Sequence, residues 1–179
     1  MRRLVPASFA LLALGGLVAA GCSDSNAPSH PVVDLVSCPP SLTGGDNLTR
    51  ALYVDSFPGS TLSSATSYFG VTGSGDRTVA LTARLGAFDG AILGSDTVTF
   101  AGVDGDSARA VTFDLGNADV TTGSTVTFAY TPIADTGGTL FQVTSSSNVA
   151  CSMIETGGVT PPLDTLRRNG MAFKIRGKQ

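Results

Sequence analysis

Four times between Thr78 and Tyr130 the chain alternates apolar and polar residues with a period of two. Thr78 to Leu85 sets Val79, Leu81, Ala83 and Leu85 on one side and Thr78, Ala80, Thr82 and Arg84 on the other. Thr97 to Phe100 offers Val98 and Phe100. Arg109 to Leu115 offers Val111, Phe113 and Leu115, and Thr125 to Tyr130 offers Val126, Phe128 and Tyr130. Successive side chains of a strand point to opposite faces, so this period demands strands with one buried face, whereas a helix would repeat near 3.6.

Less regular strands are expected over Leu52 to Phe57, Ser67 to Val71, Leu140 to Thr144, Val149 to Ile154 and Met171 to Arg176. In the last, Met171, Phe173 and Ile175 face in, while Lys174 and Arg176 face solvent or blunt an exposed edge. Turn-forming clusters separate these runs: Gly73-Ser74-Gly75-Asp76, Asp89-Gly90, Asp104-Gly105, Gly116-Asn117, Thr122-Gly123 and Gly137-Gly138. Helical periodicity is nearly absent, and only Asn47 to Leu52 hints at one turn. Eight or nine short strands define an all-β chain, an antiparallel β-sandwich with a jelly-roll or Greek-key path. The domain is assigned to residues 41–179, with its start placed between Val32 and Ser41 because Val32, Val33, Leu35 and Val36 offer a first strand.

From roughly Ser41 to Gly177 this pattern is similar to the carbohydrate-binding-like and galactose-binding-like β-sandwiches appended to secreted bacterial proteins. That resemblance implies first and last strands brought together at one end, and it invites a sugar site. An immunoglobulin-like sandwich stays open as an alternative, without its usual buried Trp because the chain has none.

The first residues form an export leader: Arg2 and Arg3, an apolar stretch from Leu4 to Leu17, then Val18-Ala19-Ala20-Gly21 before Cys22. The apolar run of roughly 15 residues is shorter than the ~20 a membrane helix needs, which favours cleavage over retention. The small-residue run ending in Cys22 resembles the signal of bacterial lipoproteins, with Ala19 where that family more often has Leu. The resemblance implies cleavage of residues 1–21 and lipidation of Cys22, hence an extracytoplasmic protein held to a membrane by acyl chains. Ser23 after the cysteine implies the outer membrane over the inner. Ordinary secretory cleavage at Val18-Ala19-Ala20 is the competing reading. Residues 22–40, rich in Ser, Asn and Pro, read as a flexible tether.

Cysteine parity agrees with the lipoprotein reading. Three cysteines in an exported chain leave one unpaired unless Cys22 is lipidated, after which Cys38 and Cys151 can pair. That bridge would close a loop of more than a hundred residues. Removing Arg2 and Arg3 with the leader takes the net charge from -3 to -5, which argues against nucleic acid as a partner.

Much familiar chemistry is excluded by composition. The one histidine is His30, in the tether, so no Ser-His-Asp or Cys-His site can form within the domain. No P-loop or dinucleotide glycine fingerprint occurs. Thirteen of the fourteen acids are Asp, many beside Gly in turns, where Asp bonds its own backbone. Paired carboxylates of a sugar hydrolase are the remaining catalytic option. Asp104-Gly105-Asp106, with Asp96 upstream, is a candidate calcium site without the full spacing of a calcium loop, and a plain hairpin is its structural alternative. No other cofactor is indicated.

Arg167-Arg168, Lys174, Arg176 and Lys178 make the C-terminal end basic, either as solvated edge charge or as a patch for an acidic surface. Tyr130 continues an inward alternation and reads as core, leaving Tyr53 and Tyr68 as candidate sugar platforms. The expectation is a membrane-anchored envelope lipoprotein serving as a non-catalytic binding or structural module. Its partners would be the membrane, through the lipid, and a glycan or envelope protein. A calcium-assisted glycan-binding module is the alternative, ahead of a hydrolase using paired Asp.

Overall fold

Among the described residues eleven strands, each antiparallel to its neighbours, build two sheets: β1 (Val33–Cys38), β2 (Arg50–Val54), β3 (Thr61–Val71), β4 (Asp76–Leu85), β5 (Ile92–Ala101), β6 (Ala108–Asp119), β7 (Val126–Asp135), β8 (Leu140–Gln142), β9 (Met153–Glu155), β10 (Arg167–Arg168) and β11 (Phe173–Lys178). The computed structural model describes residues 30–40, 50–102, 108–135, 140–143, 145, 153–155, 167–168 and 172–179. No helix occurs among them. Eight strands have five residues or more, while β8, β9 and β10 are fragments of three, three and two.

The eight long strands pair from the outside in: β1 with β11, β2 with β7, β3 with β6 and β4 with β5. The chain is in effect one long hairpin with its tip between β4 and β5. Rolling that hairpin adds the pairs β11–β3 and β7–β4. The result is a sheet ordered β1-β11-β3-β6 facing another ordered β10-β9-β2-β7-β4-β5, with β8 continuing alongside β3 beyond the end of β11. This is a jelly-roll path, and it decides against the immunoglobulin-like alternative.

Period-two burial explains why the sheets face each other. Val79, Leu81 and Ala83 of β4 and Val126, Phe128 and Tyr130 of β7 are buried, as are Val111, Phe113 and Leu115 of β6 and Phe173 and Ile175 of β11. Each Phe, Leu, Val or Ile taken fully out of water contributes about 1.5–3 kcal/mol. Tyr130 is the hub of the rings, with Phe69, Phe113 and Phe173 each 6.0 Å away in edge-on contact.

The departures from the sequence reading have local causes. β1 begins at Val33, ahead of Ser41 and within the stretch read as tether. Leu35 is a bulge in the β1–β11 ladder, and this breaks the alternation that would have marked β1 as a strand. β3 starts at Thr61, six residues before Ser67, because Ser63 is paired in neither of its ladders and the Ser/Thr-rich run loses its phase there. In β6 the chain turns through Gly116 (φ 72°) and Asn117 (φ 58°), left-handed positions suited to those two residue types. Leu85, expected to face inward, is 40% exposed at the last position of β4, although Val126, opposite it on β7, is buried. The hint of helix at Asn47 to Leu52 is overturned from Arg50 onward, which is β2; Asn47 to Thr49 lie outside the described residues. Lys174 and Arg176 do point outward, but β11 is an interior strand between β1 and β3, so they blunt no edge.

The strand directions sort the connections into two ends. One end holds the start of β1, the end of β11 and three six-residue turns, 55–60, 86–91 and 120–125. These are knitted together by backbone bonds: Phe57 N to Ser124 O (2.7 Å), Val120 N to Ser60 O (2.9 Å), Gly86 N to Thr125 O (2.7 Å) and Ser60 N to Lys178 O (2.7 Å). At the other, long-loop end β1, β3, β5 and β7 finish and β2, β4, β6 and β11 begin; most of the long connections that leave it, 39–49 and those between β7 and β11, lie outside the described residues.

Candidate functional site

At the long-loop end the best-defined feature is Arg77, a residue the sequence reading passed over. It occupies the inward phase of β4, below Val79, and is fully buried. Its guanidinium donates from Nη1 to Gly75 O (2.9 Å) and Asp76 O (3.1 Å), and from Nη2 to Thr72 O (2.9 Å). A fixed fork of donors is suited to gathering several carbonyls at once, so Arg77 holds the β3–β4 turn in shape. Gly102 N donates to Gly75 O (2.9 Å), and a Cβ there would stand 2.4 Å from Gly73 O, so the connection after β5 leaves in contact with the same turn. A signal for Arg77 was present in the sequence: a lone Arg in phase with Val79, Leu81 and Ala83.

Tyr53 and Tyr68 are not brought together. Leu52 and Val54 of β2 face the core, so Tyr53 stands on the outer face of one sheet; Phe69 and Ser67 of β3 face the core, so Tyr68 stands on the outer face of the other. Both are half-buried. Around Tyr68 the outer face is polar, with Thr66 and Thr112 sharing a hydroxyl hydrogen bond (2.9 Å) and Lys174 and Arg176 on the neighbouring strand. Tyr130 is core, 2% exposed. Its hydroxyl bonds Ser67 Oγ, and burial pushes its pKa well above the usual phenol value despite the opposing hydrogen bonds from Ser67 and Gln142.

Asp96 closes the seam where β5 of one sheet meets β6 of the other. Its carboxylate accepts from Thr97 N (2.7 Å) through Oδ1 and from Asp114 N (2.8 Å) through Oδ2. Asp104 and Asp106 lie outside the described residues. Asp96 stands midway along β5, so its carboxylate belongs to the mid-strand seam. Among the described residues no three His, Cys, Asp or Glu side chains gather in a way that could hold a metal ion.

Asp34 on the edge strand β1 answers the basic residues of β11. Lys174 Nζ lies 2.9 Å from Asp34 Oδ2, and Arg176 Nε lies 3.3 Å from Oδ1. The hydrogen bond from Lys174, then the charges of both cations, hold the Asp34 carboxyl below its ordinary pKa. Two of the basic residues thus carry a counter-charge. Side chains of Arg167 and Arg168 are outside the described set.

Cys38, at the loop-end terminus of β1, is 1% exposed. Cys22 and Cys151 lie outside the described residues, so no cysteine pair falls within them. His30 is exposed, just ahead of β1. No described helix is long and apolar enough to cross a membrane.

No family model and no curated protein matches the chain. Among solved structures, one that matches is the structure of infectious bursal disease virus Gx strain, at 12% identity and a TM-score of 0.28, covering 97% of this chain. The chain spans 44% of the length of that protein. A likeness this slight carries no functional argument.

Proposed function

We infer that the chain is a lipid-anchored extracytoplasmic module that binds or supports other envelope components and does no chemistry of its own. The supporting observation is the division of the sandwich into two ends. The chain enters β1 at the end made of short, mutually bonded turns, and β1 and β7 both finish at the opposite end, from which the longer connections depart. A tether from a lipidated Cys22 would therefore present the long-loop end away from the bilayer, which is the arrangement of a displayed binding or assembly domain. Cys38 paired with Cys151 would fasten those loops to β1.

The glycan-binding alternative draws on Tyr68, the aromatic on a polar face with Thr66, Thr112 and Lys174. The two forms separate by retention of the purified protein on immobilised polysaccharides and by cross-linking in intact envelopes. An assembly module gives discrete cross-linked partners and no saturable retention. A glycan module is retained, and Tyr68→Ala releases it while Tyr53→Ala, on the opposite face, does not. Release of sugar product from a polysaccharide would overturn the non-catalytic reading.

A further inference from the structure

Four large apolar side chains stand exposed among the described residues, and three of them, Val32 (37%), Leu85 (40%) and Ile92 (60%), are at the end where the chain enters the sandwich. The β4–β5 connection that carries two of them reads Leu85-Gly86-Ala87-Phe88-Asp89-Gly90-Ala91-Ile92, with one charged residue in eight. Hairpin connections are ordinarily polar and turn-forming, so an apolar tip is out of pattern. It is also held firmly: Leu85 N donates to Ala91 O (2.9 Å), Gly86 N to Thr125 O (2.7 Å), and Arg84 Nη1 to Gly90 O (2.9 Å).

We propose that this tip, with Val32, is a bilayer-contact surface that seats the sandwich on the membrane holding its anchor. The inference rests on the lipid-anchor reading and deepens it. Ten residues join Cys22 to Val33, a span of at most about 40 Å when fully extended and roughly 20 Å as a flexible coil. The anchored end of the domain is thus confined next to the lipid surface, where a linker this short gives an effective concentration near the millimolar range and a weak contact becomes well occupied. Ile92 and Leu85 supply apolar side chains that need no unfolding to reach the acyl boundary. Asp55, Asp89 and Asp119 are exposed at the same end, so the surface suits zwitterionic headgroups, and added anionic lipid weakens the contact.

The chain has no Trp, which makes a single introduced Trp an unambiguous reporter. The full mature protein carrying Ile92→Trp is reconstituted in phosphatidylcholine vesicles with brominated acyl chains. Ile133→Trp, exposed near the other end of β7, is the control, and Ala91→Trp is a second probe of the tip. Melting curves matching the parent establish that each variant folds. The expected result is a blue-shifted emission and several-fold stronger quenching at positions 91 and 92 than at 133. Equal quenching in acylated, vesicle-bound protein overturns the contact surface and leaves the anchor standing. Protein that lacks the acyl group and does not float with the vesicles overturns both.

Discussion

Ser67 and Tyr130 meet hydroxyl to hydroxyl in the middle of the sandwich, one from each sheet. Gln142 Nε2 adds a donor to Ser67 Oγ at 3.4 Å. Among the rings and aliphatic chains that surround it, this is a polar link between the two sheets, and the ring edges around Tyr130 fix where it forms. Tyr130→Phe leaves buried polar partners short of a bond and should cost about 1–3 kcal/mol in chemical denaturation. The double variant with Ser67→Ala should cost less than the sum of the two single changes, because the groups share one network.

Alkaline pH provides an independent check on the same residue. Tyr130 stays neutral in the folded protein at pH values where it ionises in the unfolded chain, whose phenol titrates near 10.0. The unfolded state therefore binds fewer protons above that pH, and stability falls as pH rises from about 10 toward the higher folded-state pKa, by up to about 1.4 kcal/mol per unit. Tyr130→Phe should remove this contribution from the slope.

The alternating strands were legible because β4, β6 and β7 keep a single apolar phase where they cross the core, over Val79 to Ala83, Val111 to Leu115 and Val126 to Tyr130. What the sequence concealed is concentrated at bulges. Leu35, Ser63 and the Gly116-Asn117 pair each insert residues that reverse the apolar phase, so β1 reads as tether and the first half of β3 reads as loop. Long-range pairing was equally hidden: nothing local to Asp34 announces Lys174 and Arg176, which arrive through the β1–β11 ladder. The candidate site residues fared by the same logic. Tyr130 was placed in the core by its phase, whereas the placement of Tyr53 and Tyr68 on opposite faces needed the strand order.

At the seam between the sheets, Asp96 acts through backbone N–H groups. Asp96→Ala should lower stability by about 1–2 kcal/mol, since hydrogen bonds to a charged acceptor are lost at a partly exposed site. Thermal melts should show the same loss in calcium and in chelator. A loss seen in calcium alone would instead make Asp96 a metal ligand. Gly94→Ala should disturb the same seam, because its Cβ would stand 2.7 Å from Leu115 O.

On the surface of the other sheet, Asp34 titrates low because Lys174 donates to it and both cations attract it. A depressed carboxylate adds stability above its unfolded pKa of about 3.8 and loses it as pH falls through the lower folded value. Lys174→Ala should raise the Asp34 pKa, read by carboxyl NMR titration. Asp34→Asn should lower Tm only slightly, with the difference shrinking in high salt.

Reduction should destabilise the domain if Cys38 is bridged to Cys151, because the bond closes a loop worth roughly 4–5 kcal/mol in the chain-entropy model. Peptide mapping without reductant should return Cys38 and Cys151 in one cross-linked species. A Cys38 peptide joined to Cys22 would contradict the pairing and the lipid anchor together.

The anchor is the claim on which display, seating and pairing all depend. Expressing the full chain in a bacterium and weighing the mature amino-terminal peptide tests it directly. A lipid-anchored module gives a chain beginning at Cys22 with a diacylglyceryl group on its sulfur. A chain beginning at or near an unmodified Cys22, or one retaining its leader, would contradict it.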